Sequence, residues 1–159
     1  LAAGLSLAEV SDGLKNFSNI KGRLNIKQGI KDATLIDDTY NANPDSMKAA
    51  IDVLAAMPAP RIFVMGDMGE LGEDEAAAMH AEVGAYARDK GIEAAYFVGD
   101  NSVEAAETFG AEGLWFADKD PLIQVLSHDL PERATVLVKG SRFMKMEEVV
   151  EALTDKEVV

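Results

Sequence analysis

Two hydrophobic periods alternate along this chain. Short apolar runs at TLI (34–36), RIFVM (61–65), AAYFV (94–98), LWF (114–116) and TVLV (135–138) are the length of strands. Between them, apolar residues return every third or fourth position, which predicts helices. Asn43 followed by Pro44 reads as an N-cap and a first helical residue, with Met47, Ala50, Ile51 and Leu54 on one face. A second helix is predicted over 73–90, with Met79, Val83 and Tyr86 facing inward and Gly91 closing it. Shorter helices follow at 102–109 and 120–128, and a last one carries Met146, Val149, Val150 and Leu153.

Strands that are apolar throughout, alternating with helices, predict a doubly wound α/β fold: a mostly parallel sheet covered by helices on both faces. RLNIKQGIKDATLID reads as two short strands around a turn near Gly29, so residues 24–28 could add one antiparallel strand. Upstream, Ser6 with Glu9 forms a capping-box pattern, and Leu7, Val10, Leu14 and Phe17 repeat at helical spacing, predicting a helix over 6–17. The polar stretch SNIKGR then reads as a linker, with a domain boundary near Gly22. The opening LAAGLSLAEV lacks Met and starts inside a helical pattern, which predicts a piece of something longer.

Composition narrows the function. The chain has 159 residues and 48% hydrophobic content, enough for a sizeable core. A net charge of −13 argues against a nucleic-acid backbone as partner. No apolar run reaches membrane-spanning length, and no basic segment precedes an apolar one as in a signal peptide. With no cysteine there is no disulfide, thiolate metal site or cysteine nucleophile, which fits a reducing, cytoplasmic setting.

In open α/β sheets ligands bind beyond the carboxyl ends of the strands. There the chain places Asp37 and Asp38, then GDMGELG (66–72), then Gly99, Asp100 and Asn101, then Asp118, then Lys139 to Arg142. Asp, Asn and Gly are also ordinary turn and cap residues. DDTYNANP exceeds that need: Asn43–Pro44 already starts the helix, leaving Asp37, Asp38, Tyr40 and Asn41 over. A carboxylate there could accept hydrogen bonds from a ribose diol. In VKGSR, Gly140 allows close backbone approach and Arg142 could grip a carboxylate or phosphate, or simply pair with Glu147 or Glu148. GDMGELG matches neither the dinucleotide fingerprint nor a P-loop, and reads as a substrate loop or a turn. His80 and His128 read as surface or packing residues, and Trp115 and the methionines as core. No metal-ligand spacing and no G-x-S-x-G elbow occurs.

The motifs GRLNI (22–26), DDTYNANPDSM (37–47), VMGDMGELG (64–72), FVGDN (97–101) and VLVKGSRFMKME (136–147) span nearly all of residues 22–153. Together they resemble the carboxyl-terminal domain of the Mur ligases, in the branch that adds D-alanyl-D-alanine. The resemblance implies that residues 1–21 are the tail of a central ATPase domain and 22–159 the carboxyl-terminal domain. It implies ATP with Mg2+ as cofactors, the metal being held mainly by the central domain. The other substrates would be a UDP-N-acetylmuramoyl tripeptide and D-alanyl-D-alanine, joined through an acyl phosphate with release of ADP and phosphate. By the same resemblance Arg23 lies near the ATP phosphates, Asp38 holds the ribose, and Tyr40 and Asn41 complete the nucleotide side. Asn101 faces the incoming amine, with Lys139, Ser141 and Arg142 near the same cleft. The amino-terminal and central domains would be the partners within one chain, and this piece alone would be inactive. A stand-alone flavodoxin-like module binding a small ligand or a protein is the competing expectation.

Overall fold

The computed structural model describes residues 22–156. The helix predicted over 6–17 and the linker up to Lys21 lie outside them. Six strands form one sheet: β1 (Asn25–Gln28), β2 (Thr34–Asp38), β3 (Arg61–Gly66), β4 (Ala94–Val98), β5 (Gly113–Phe116) and β6 (Thr135–Lys139). Their order is β1-β2-β6-β3-β4-β5, with β1 antiparallel to β2 and every other pair parallel. Five α-helices connect them: α1 (Pro44–Ala55), α2 (Glu73–Asp89), α3 (Ser102–Phe109), α4 (Lys119–Asp129) and α5 (Glu147–Leu153).

Side-chain alternation sends each strand's residues to two cores. Ile36, Phe63, Met65, Phe97 and Leu137 pack with α1, α2 and α3 on one face. Leu35, Ile62, Val64, Val98, Val136 and Val138 pack with α4 and α5 on the other. β3, β4 and β6 are therefore apolar along most of their length, as strands covered on both faces must be, and β2 is so at Leu35 and Ile36.

The ends of the helices follow from their sequence. The Asn43 side chain accepts the Ser46 N–H at 2.8 Å, and Ser46 Oγ accepts the Asn43 N–H at 3.0 Å, closing a reciprocal capping box in front of Pro44. α2 gives out at Lys90, and Gly91 takes φ +80°, a conformation glycine adopts without steric cost.

Two expectations need correction. β2 does not stop at Ile36: it continues through Asp37 and Asp38, because Asp37 is in register with Asn25 on β1 and Asp38 with Lys139 on β6. A strand between two partners keeps its ladder, and lysines on both sides neutralise the aspartates. Trp115 is not core. It lies on the edge strand β5 and is 40% exposed, and its indole N–H donates to the Gly99 carbonyl at 2.8 Å. An edge position lets the ring cover a loop while its polar atom finds a partner. The methionines divide: Met47, Met57, Met65, Met68 and Met146 are buried, while Met79 and Met144 are partly so.

The connections leave β2 and β3 towards the first face, while β6, which lies between them, feeds α5 on the second. Loops diverging from neighbouring strand ends open a crevice, and that is where such sheets hold ligands.

Candidate functional site

Two linked groups of residues occupy the carboxyl ends of β2, β6 and β3. The first surrounds a cleft of about 220 Å³ lined by Gly22, Asp37, Thr39, Tyr40, Arg142 and Glu147. Its floor is locked by local bonds. The Tyr40 N–H donates to the Gly22 carbonyl at 2.8 Å, and Thr39 Oγ1 donates to Asp37 Oδ1 at 2.6 Å. Lys27 Nζ holds the other Asp37 oxygen at 2.9 Å, so the buried carboxylate has both a charge partner and a hydroxyl donor. Tyr40 is 43% exposed, and the Arg23 guanidinium sits 4.3 Å from its ring centroid, an exposed cation–π pair. Arg142 pairs with Glu147, the local partner the sequence offered. The other Glu147 oxygen, Oε1, is buried and has no hydrogen-bond partner among the described residues.

The second group is internal. Lys139 Nζ donates to Asp38 Oδ2 at 2.8 Å and to the Asn41 carbonyl at 2.9 Å. Both charged residues are buried, with Lys139 3% exposed. The pair ties the end of β6 to the loop that leads into α1. Ser141 extends the tie, since its Oγ accepts the Gly69 N–H at 2.5 Å. The backbones are close here: a Cβ on Gly140 would lie 2.7 Å from Met146 Cγ and 3.1 Å from Gly66 Cα, so only glycine fits.

The candidate residues therefore divide. Tyr40 and Arg142 line the cleft and Arg23 stacks on the Tyr40 ring, whereas Lys139 joins Asp38 to the Asn41 carbonyl. Asn41 is exposed, and its Oδ1 accepts the Ala42 N–H at 2.8 Å. Asn101 lies beyond β4, two strands from β6, or about 10 Å by ordinary strand spacing. Sequence reasoning named Arg142 with the substrate-side residues, whereas the fold sets it against the wall that carries Tyr40. It gave no role to Thr39, Asp67 or Ser102, and named Glu147 only as a local partner for a nearby cation. Asp67 is followed by no helix pattern of its own, and its partners lie more than thirty residues away at Asn101 and Ser102, so no local signal marked it. His80 proves buried within α2, whereas His128 is exposed. No group of three His, Cys, Asp or Glu able to hold a metal occurs among the described residues, and Asp37 and Asp38 are each already engaged by a lysine.

A mostly parallel α/β sheet with polar groups gathered at the carboxyl ends of its strands defines a domain of the doubly wound class. The chain belongs to the Mur ligase family: residues 22–142 match the family's glutamate ligase domain. It is 44% identical over 157 residues to the UDP-N-acetylmuramoyl-tripeptide–D-alanyl-D-alanine ligase of Escherichia coli, covering 98% of this chain and 34% of that protein. A crystal structure of MurF from Acinetobacter baumannii superposes with a TM-score of 0.75 at 34% identity, covering 93% of this chain and 33% of that one. MurF ligase from Thermotoga maritima in complex with ADP gives 0.74 at 25% identity, covering 85% and 31%. The chain thus spans about a third of the length of the curated relatives it matches.

Proposed function

We propose that this chain is the carboxyl-terminal domain of an ATP-dependent ligase that joins D-alanyl-D-alanine to a UDP-N-acetylmuramoyl tripeptide in the cytoplasm. The observation that carries the reading is the cleft bounded by Gly22, Tyr40, Arg142 and Glu147, formed by the DDTYNANP and VKGSR loops at the sheet's crevice. Tyr40 offers an exposed ring for stacking, Glu147 Oε1 an unused acceptor for an N–H or O–H donor, and Arg23 and Arg142 positive charge for phosphates. The solved MurF relative that holds ADP supports a nucleotide as the occupant.

In this reading the tripeptide carboxylate attacks the γ-phosphorus of ATP and ADP leaves. The amine of D-alanyl-D-alanine then attacks the acyl phosphate and phosphate leaves. This domain contributes positioning, charge and the exclusion of water. The described residues hold no P-loop and do not fit a magnesium site, so the phosphate cradle and the metal ligands belong to the remainder of the enzyme, and this domain alone turns over nothing. In this reading Arg23 meets the nucleotide phosphates as the domains close. The stand-alone module has less behind it, because the relatives are about three times as long.

Arg23 offers a clean test because it is exposed and its one described contact is the Tyr40 ring. In the whole enzyme, Arg23→Ala should raise the KM for ATP by about tenfold, the scale of one lost charge-assisted contact. It should shift stability by no more than about 1 kcal/mol. Coupled-assay kinetics with ATP varied, beside a thermal melt, measures both. An unchanged KM and kcat would remove Arg23 from the nucleotide site.

A further inference from the structure

Asp67 opens the GDMGELG loop and is 6% exposed. Its carboxylate is fully engaged: Oδ1 accepts the Ser102 N–H at 2.9 Å and the Ser102 hydroxyl at 2.7 Å, and Oδ2 accepts the Asn101 N–H at 3.1 Å. An anion at the first N–H groups of α3 is favoured by the helix's orphan donors and its dipole. Gly99 makes the approach possible. It has φ +115°, and a Cβ there would lie 2.4 Å from the Asp67 carboxylate. The backbone of the same residue faces the other way, where the Asp67 carbonyl accepts the Ser141 N–H at 3.0 Å. Asp67 thus touches both the Asn101 loop and the Ser141 loop.

His80 secures the next residue. It is wholly buried on α2. Its Nδ1–H donates to the Ala76 carbonyl at 2.7 Å, which leaves Nε2 as an acceptor for the Met68 N–H at 2.9 Å. One residue on, the Gly69 N–H donates to Ser141 Oγ. Three consecutive residues of one loop are therefore pinned to three different elements. A buried imidazole with a backbone N–H as its partner leaves that N–H unsatisfied when removed.

We infer that Asp67 and His80 are positioning residues that set the distance between the Asn101 loop and the Ser141 loop, and so the shape of the amine-substrate side of the site. This rests on the proposed function, and it adds residues that touch neither ATP nor the cleft walls. The two loops belong to different strands, β4 and β6, with β3 between them. The loop leaving β3 is bonded to both, through Asp67 to Asn101 and Ser102 and through Asp67 and Gly69 to Ser141.

The test uses the whole enzyme, with D-alanyl-D-alanine and ATP varied separately. His80→Phe fills the ring's space without an acceptor, and His80→Gln puts an amide near the position of Nε2. His80→Phe should raise the KM for D-alanyl-D-alanine by about tenfold and leave the KM for ATP within about twofold, as the loss of one buried bond at one side of the site predicts. His80→Gln should recover most of the difference. Ser102→Ala, which removes only the hydroxyl bond to Asp67, should move the same constant in the same direction by a smaller factor, and it serves if His80→Phe fails to fold. A fall in melting temperature with both KM values unchanged, or equal rises in both, would overturn the positioning role. Wild-type enzyme that forms no ADP with these substrates would overturn the proposed function itself. Wild-type ligation with unresponsive variants would overturn only this inference.

Discussion

The Asp38–Lys139 pair shows how strongly one interaction can constrain this site. The carboxylate and the ammonium are 2.8 Å apart in surroundings almost closed to water, and the ammonium also holds the Asn41 carbonyl. Removing one member strands the other's charge in a poorly solvated place, which costs about 3–5 kcal/mol. Lys139→Met should therefore lower stability by about that amount in urea unfolding of this chain. Adding Asp38→Asn should restore much of it, because neighbours sharing one interaction do not behave additively. A ribose contact at Asp38 would have to be made while Lys139 holds one of its oxygens, or by displacing the lysine. Alanine at Asp38 would confound binding with folding, which makes the exposed Arg23 the better probe of the nucleotide side. From sequence, Lys139 reads as a cation near the substrate cleft, with local pairing to Glu147 or Glu148 as the alternative. Its partner lies 101 positions away, and no local pattern announces a pair made across two parallel strands.

At the level of elements, legibility follows the range of the forces involved. The strands and helices, and the Asn43–Pro44 helix start, were readable because period and cap chemistry are local. The errors fall where a neighbouring strand decides. β2 runs on through Asp37 and Asp38 because β1 and β6 flank it, and Trp115 lies outside the core because β5 is an edge. The end of β2 and the loop into α1 separate their tasks along the chain: Asp37, Thr39 and Tyr40 line the cleft, and Asn43 caps the helix. Asn43→Ala should then cost about 1 kcal/mol through the lost cap. Faster amide exchange confined to the first turn of α1 would register it, and the KM for ATP should hold, since neither capping bond reaches the cleft. A shift in KM would mean that the two tasks are mechanically joined.

For the whole molecule, the sheet order decides what the site can be. Placing β6 between β2 and β3 brings residues from either end of the sequence, near 22–40 and near 139–147, to one cleft, an arrangement that pattern reading could suggest only through resemblance. The cleft is lined by described residues of this chain, and its floor is fixed by bonds among Gly22, Asp37, Thr39 and Tyr40. A preformed surface binds without an ordering cost, but here without a phosphate cradle, so the affinity should be weak and the location well defined. Titrating this chain with ADP while following its amide resonances should move signals of residues 22–24, 37–42, 142 and 147. Residues 66–72 and 99–101 should stay still, because the Asp67 and His80 bonds fix them from within. D-alanyl-D-alanine added afterwards should act on the second set alone. Shifts spread over both sets with ADP alone would mean that the two sides respond as one unit, and the division of the sheet edge into a nucleotide side and an amine side would have to be abandoned.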